Sequence, residues 1–313
     1  MLARKDIPVD IAVYEVAGMR RVGANLYSYS EVPSFLKNNK FIESGYRVSL
    51  SSGQCVQSLF YWSNESVNIW THVIGFVMFL VLAVYDNLFL LPSYQATIWD
   101  HVVYTLCLTC FQFCMVCSAG YHLFCAQNEE VCKSWLALDL AGICIGLLGC
   151  YFPGIYYAYF CFDHWRRIYL FIVCVLILIT LVIQTHQRFL SARWATRRLI
   201  LFCALVAYGV VPVFHWVYLN GGMQTHIVQT FFPRVVFVYF LGVLALMFYA
   251  TKCPERCLPG KVDYVGSSHQ WWHILVVIAF LWWHQCGVAM MNYRHSNKCT
   301  SLERTSDLWA ATS

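Results

Sequence analysis

Seven stretches of about 20 mainly apolar residues alternate along the chain with short polar segments. They run near residues 69–91, 101–125, 136–160, 168–186, 199–219, 234–251 and 270–292, the sixth being the shortest. At 1.5 Å of rise per residue, such a stretch can cross a hydrocarbon layer of about 30 Å as a helix. Polar or turn-forming sequence bounds the stretches, as at Leu91-Pro92-Ser93, Gln127-Asn128-Glu129-Glu130 and Asn220-Gly221-Gly222. The pattern predicts an all-α membrane protein: a seven-transmembrane helix bundle over 67–292, an N-terminal segment 1–66 and a C-terminal tail 293–313. Within the N-terminal segment, Ser30 as N-cap and Pro33 in the first turn predict a short amphipathic helix. Its Phe35, Leu36, Phe41 and Ile42 would face the membrane surface or the bundle.

Composition agrees. The 313 residues are 59% hydrophobic and 12% charged, against roughly 45–50% and 25% in globular proteins. So few charges cannot cover two soluble domains. The net charge of +5 is spread out with no basic run, which excludes a nucleic-acid-binding surface. Among the 16 cysteines, Cys107, Cys110, Cys114, Cys117, Cys144, Cys150, Cys174 and Cys203 fall inside apolar runs. Cysteine there behaves as a small hydrophobe, and no disulfide framework is expected. The N-terminus has no apolar stretch of signal-peptide length, so the first internal helix is expected to start insertion.

Lys and Arg set the orientation, because cytoplasmic loops are enriched in them. Loops on the N-terminal side carry eight: Lys133, Arg188, Arg193, Arg197, Arg198, Lys252, Arg256 and Lys261. The opposite loops carry Arg166, Arg167 and Arg234, and the C-terminal tail adds Arg294, Lys298 and Arg304. We therefore expect a cytosolic N-terminus and a luminal or external C-terminus. That is opposite to the G-protein-coupled receptors, whose Asp-Arg-Tyr and Asn-Pro-x-x-Tyr signatures are also absent. The sequon Asn64-Glu65-Ser66 would then stay unmodified.

Ionisable residues inside a bilayer are costly, which makes each a functional candidate. His122 closes span two, Asp139 opens span three, and His269 and His273 open span seven, all at the same membrane face. The i, i+4 spacing puts His269 and His273 on one helix face. Two such imidazoles, a third from span two and a nearby carboxylate are what a tetrahedral Zn²⁺ accepts. The other reading is a metal-free polar cluster whose members satisfy one another between helices. The intervening sequence Gln270-Trp271-Trp272 lacks the glutamate of a zincin, which excludes that hydrolase family. Ser118, one turn before His122, is either a supporting donor or bonds its own helix backbone. His72 reads as a core histidine rather than a ligand, and His215 and His284 sit toward the other face. Trp70, Trp271, Trp272, Trp282 and Trp283 read as an interfacial belt.

Five motifs in order carry a family resemblance: Ser63-Asn64-Glu65-Ser66-Val67-Asn68-Ile69-Trp70-Thr71-His72, Gly120-Tyr121-His122-Leu123-Phe124, Leu138-Asp139-Leu140-Ala141-Gly142, Pro254-Glu255-Arg256-Cys257-Leu258-Pro259-Gly260 and Ser268-His269-Gln270-Trp271-Trp272-His273. Together they resemble the progestin and adipoQ receptor family from about residue 26 to 298. The resemblance implies a zinc ion held by His122, His269 and His273. Asp139 corresponds to the aspartate that contacts the water on that zinc, and Ser118 to a serine nearby. Leu140 stands where the family usually has tyrosine, a change expected only to repack a helix interface. The branch most resembled is Golgi-resident, with a plasma-membrane location as the alternative. It retains Raf kinase through its cytosolic N-terminal segment and so dampens the Raf–MEK–ERK cascade. For residues 1–66 that implies Tyr27, Tyr29, Phe35, Leu36 and Phe41 as contact anchors. Two other functions follow from relatives: a zinc-dependent amidohydrolase acting on a lipid such as ceramide, with Asp139 as proton acceptor, and a receptor for a steroid or adipokine.

Overall fold

The computed structural model describes residues 12–16, 19–23, 26–297 and 299, so most of the tail assigned to 293–313 lies outside the described residues. A two-stranded antiparallel hairpin, β1 Ala12–Val16 and β2 Met19–Gly23, precedes the helices. A short helix α1, Ser52–Gln57, lies before the bundle. Seven helices long and apolar enough to cross a membrane follow: α2 Ser66–Ser93, α3 Ile98–Phe124, α4 Glu129–Ala158, α5 Asp163–Thr185, α6 Ala195–Leu219, α7 His226–Thr251 and α8 Ser268–Ser296. Each coincides with an apolar stretch of the sequence. The sixth span is longer than its apolar stretch, because α7 begins at His226 and runs through Pro233. Neighbouring helices make an internal proline tolerable in a membrane helix, and here the Trp282 indole of α8 donates to the Arg234 carbonyl at 3.0 Å.

The cysteines of α3 explain its close contact with α4. On α4, Gly142, Gly146 and Gly149 form a small-residue stripe, and a Cβ on them would meet Cys114 and Cys117, then Cys114 again, then Cys110. Helices in hydrocarbon gain contact by letting backbones approach over small residues, and cysteine is small enough to serve. All eight cysteines of the apolar runs are free thiols. The expectation that none pairs fails outside those runs, where Cys125 bonds Cys132 and Cys161 bonds Cys299. These four lie where the chain leaves its helices, Cys125 and Cys132 at the N-terminal face and Cys161 and Cys299 at the opposite one, and in each case loop geometry brings two thiols together.

Helix α8 is tied to its neighbours in the half away from the N-terminal face. His284 Nε2 meets Asp86 Oδ2 at 2.5 Å with both side chains sealed from solvent. Asp86 starts a π-helical turn, Asp86–Leu90, that carries α2 toward its end. Further along, His295 pairs with Asp100 of α3, which also accepts from the Tyr157 hydroxyl of α4. Arg294 donates to the Tyr157 and Ala158 carbonyls. The tryptophans divide: Trp70 and Trp271 are exposed as a belt requires, whereas Trp282 and Trp283 donate inward to the Arg234 and Cys150 carbonyls.

At the N-terminal face, residues 26–50 fold into a cap. Tyr27 and Tyr46 form a backbone bridge, and Val32, Ile42, Tyr46 and Val48 make a small core with Tyr27, Tyr29 and Leu36 against it. The expected amphipathic helix shrinks to one 3₁₀ turn, Ser34–Leu36. The Asn39 side chain accepts from the Phe41 amide, and such local side-chain bonds compete with helix propagation. Ile42 therefore points into the cap rather than to the membrane. The cap docks on the loop before α8, where Asp263 Oδ2 accepts from the Glu43 and Ser44 amides and the Ser44 hydroxyl at 3.1, 2.8 and 2.8 Å. Gly260 N–H adds a bond to the Phe41 carbonyl.

Gly120, one turn inside the end of α3, gives a sharp check on this packing. An added Cβ would lie 2.0 Å from the Trp135 ring of α4. Gly120→Ala should overpack the interface by about 1–3 kcal/mol, read as a lowered melting temperature of the purified protein in detergent.

Candidate metal centre

The last turn of α3 and the first two turns of α8 meet beneath the cap. His269 Nε2 lies 3.3 Å from His122 Nε2 and 3.2 Å from His273 Nε2. One ligand atom from each of the three rings falls within 4.8 Å of the others. The shared layer read from the sequence is thus a convergence of three side chains. Asp139 is not a member of the triad. It stands beside it on α4, close enough to Ser118 and to His122 to interact electrostatically with both.

The two helices that carry the histidines are each held by identifiable supports, although His273 Nδ1 is buried without a hydrogen-bond partner among the described residues. The motif around Glu255 anchors α8: its buried carboxylate accepts the Ser268 amide at 2.7 Å and the Ser268 hydroxyl, and also the Asn39 amide of the cap. A negative group at a helix N-terminus satisfies free N–H groups and complements the helix dipole. Arg47 of the cap closes the end of α3, donating to the His122 carbonyl at 2.6 Å and to Ser58 at 2.5 Å. Glu65, just before α2, faces the His122 ring, with Oε2 2.7 Å from Nδ1. Asn68 steadies that carboxylate from one turn along at 2.7 Å. Burial raises the Glu65 pKa, but the contacts with the His122 ring and the Asn68 amide outweigh it and hold the group at about 2. An ionised carboxylate only accepts, so Nδ1 of His122 donates to it, and an uncharged ring then leaves Nε2 as the atom a metal would take.

The donor set fits a metal ion. Metal–nitrogen bonds of roughly 2.0–2.1 Å at tetrahedral angles separate neighbouring nitrogens by roughly 3.3 Å, as at the two ring contacts of His269. Without an ion, the single Nε2 of His269, which carries either one proton or one lone pair, faces two other Nε2 atoms and cannot make a full hydrogen bond with both. His72, expected to be a satisfied core histidine, is buried and stacks on His273 at 3.9 Å, but neither of its ring nitrogens has a hydrogen-bond partner among the described residues. His215 and His284 lie elsewhere, bonded to Tyr169 and Asp86. Between the cap and the centre is a cavity of about 30 Å³ lined by Tyr46, Arg47, Asn64, Glu65, Tyr121 and His122, with room for water and none for a lipid.

Sequence reasoning missed Glu65, Arg47 and Glu255 as supports. Glu65 had a readable signal: a carboxylate at the start of one span at the same membrane face as a histidine ending the next. The sequence places it in the first family motif and in a sequon whose Asn64 acceptor is buried, with no role of its own. Arg47 and Glu255 lie in loops whose folding no periodicity announces.

An all-helical bundle with three imidazoles converging at one end describes a class of seven-helix membrane proteins whose mouth could hold a metal ion. The family model described as Haemolysin-III related matches residues 60–284. The chain belongs to this haemolysin-III-related family, within the progestin and adipoQ receptors. It is 50% identical over 278 residues to human "Progestin and adipoQ receptor family member 3", covering 88% of this chain and 89% of that protein. The mouse protein of the same name is 49% identical over the same shares. "Heptahelical transmembrane protein 1" of Arabidopsis thaliana is 30% identical over 88% of this chain and 83% of its own length.

Removing any one triad imidazole should break the centre. Elemental analysis of the purified protein is expected to find a bound transition metal, reduced at least about tenfold in each of His122→Ala, His269→Ala and His273→Ala. Equal metal content in all four proteins would show that the rings are not its ligands.

Proposed function

We propose that this chain is a Golgi-membrane protein that retains Raf kinase through its cytosolic N-terminal segment and so dampens Raf–MEK–ERK signalling. The seven helices are the membrane scaffold, and the ion in the three-histidine centre is zinc. The observation that carries this reading is the extent of the likeness to family member 3, half of all positions across nearly nine tenths of both chains. Nitrogen donors and a tetrahedral spacing favour zinc among divalent ions. On this reading the N-terminus faces the cytosol, the 293–313 tail faces the lumen, and the cap is the folded root of the partner-binding segment. Of the five expected anchors, Tyr27, Tyr29 and Leu36 pack against the cap core. Phe35 and Phe41 remain half-buried at its surface and available to a partner.

A second reading rests on the Asp139–Ser118 pair beside the triad. A carboxylate near the metal but outside its ligand set suits a zinc-dependent amidohydrolase acting on a lipid such as ceramide. Bound zinc would supply a Lewis acid, while Asp139 would accept a proton and Ser118 would hold the carboxylate in place. A receptor for a steroid or adipokine at the plasma membrane has only family likeness behind it.

Imaging the full-length chain, His269→Ala and a variant lacking residues 1–60 in cells separates the readings, with ceramide turnover assayed on the purified proteins. Scaffold function predicts Raf on Golgi membranes for the full chain and His269→Ala, loss of it in the truncation, and no turnover by any. Hydrolysis by the full chain, abolished in His269→Ala, with no Raf recruitment would replace the scaffold with the hydrolase.

A further inference from the structure

We infer that Glu65 is a positioning residue of the metal centre and that, through it and Arg47, docking of the N-terminal cap and binding of the metal strengthen each other. The inference rests on the zinc reading above. His122 is held from three directions by groups outside α3: Glu65 on its Nδ1 at 2.7 Å, Arg47 on its carbonyl at 2.6 Å, and His269 on its Nε2. Of these, Arg47 belongs to the cap and Glu65 to the short link between cap and bundle. A carboxylate on the far nitrogen of a ligating histidine fixes its tautomer and ring direction and makes the near nitrogen a better ligand. The guanidinium acts on the same residue through the backbone, since it caps the helix end that His122 occupies.

The second half follows from linkage. A metal ion favours the one placement of the His122 ring that the cap also favours, so occupancy lowers the free energy of the docked cap. By reciprocity the docked cap raises metal affinity by the same factor. α8 adds a parallel connection: the Glu255 carboxylate bonds both Ser268, next to His269, and Asn39 in the cap. The cap thus touches both helices that supply the ligands. A cap that loosens without metal would alter how the N-terminal segment is presented on its face of the membrane, which makes metal supply a control on partner capture.

The test uses the full-length protein in detergent, with zinc affinity read by competition against a chromophoric chelator. Protease cleavage within residues 26–50 is followed with zinc and with EDTA. Glu65→Gln keeps the size and the hydrogen-bond acceptor but not the charge. It should bind zinc about 10–100-fold more weakly while the metal-free variant stays folded, with the helical circular dichroism of the parent. In the parent, zinc should slow cap cleavage, and in Glu65→Gln that protection should shrink. Val32→Asp, which breaks the cap core and touches no residue of the centre, should also weaken zinc binding. Unchanged zinc affinity in Glu65→Gln, or a loss that accompanies loss of the metal-free fold, would overturn the positioning role. Parent-like affinity in Val32→Asp, or cleavage indifferent to zinc in the parent, would overturn the linkage. Failure of the parent itself to bind zinc would instead sink the zinc reading, and this inference with it.

Discussion

The Asp86–His284 pair sets the height of helix α8, and much else in the molecule depends on that height. Both groups are sealed in apolar surroundings at 2.5 Å. Separating a buried pair strands an uncompensated group at a cost of about 3–5 kcal/mol. A slide of α8 by one turn, about 5.4 Å, would do so. His273 lies eleven residues from His284 on the same unbroken helix, roughly 16 Å away. The imidazoles at one membrane face are thus held in register from the opposite half of the bundle. Arg294 and His295 extend the fastening to α3 and α4, and Glu255 holds the other end of the helix.

Within that frame the centre is shared between two kinds of structure. The bundle contributes the three rings, and the loops contribute what aims them. This division explains why a segment of modest hydrophobicity before the first span folds at all. Its own core of four buried side chains is small. Most of its order comes from bonds to the loop before α8 and from the Arg47 guanidinium at the end of α3.

Much of this was legible in the sequence because bilayer physics writes long, redundant signals. Twenty apolar residues in a row announce a span whatever their order, and costly histidines at matching depths announce a site. The i, i+4 spacing of His269 and His273 even fixed their common face. The rest depends on single contacts. The sixth apolar stretch starts eight residues after the helix does, because the first turns of α7, His226 to Pro233, mix polar residues with apolar ones. The helix expected near Ser30 yielded to one Asn39 side-chain bond. Glu65 stood without a role because its partner, His122, lies 57 positions away, and only the membrane face shared by the two span ends connects them. Cysteines read correctly as small hydrophobes inside the spans were misjudged at the helix ends.

Those four cysteines carry one more consequence. The Cys125–Cys132 bridge joins α3 to α4 at the N-terminal face, and the Cys161–Cys299 bridge ties the end of α8 to the opposite face. A cellular bilayer of the secretory system separates a compartment that keeps thiols reduced from one that oxidises them. In such a membrane the two bridges, at opposite faces, would not share a redox environment whichever way the chain is inserted. One would be a lasting clasp and the other a thiol pair that closes only when its surroundings turn oxidising, so the oxidation state of the two pairs in cells would itself record which way the protein lies in its membrane.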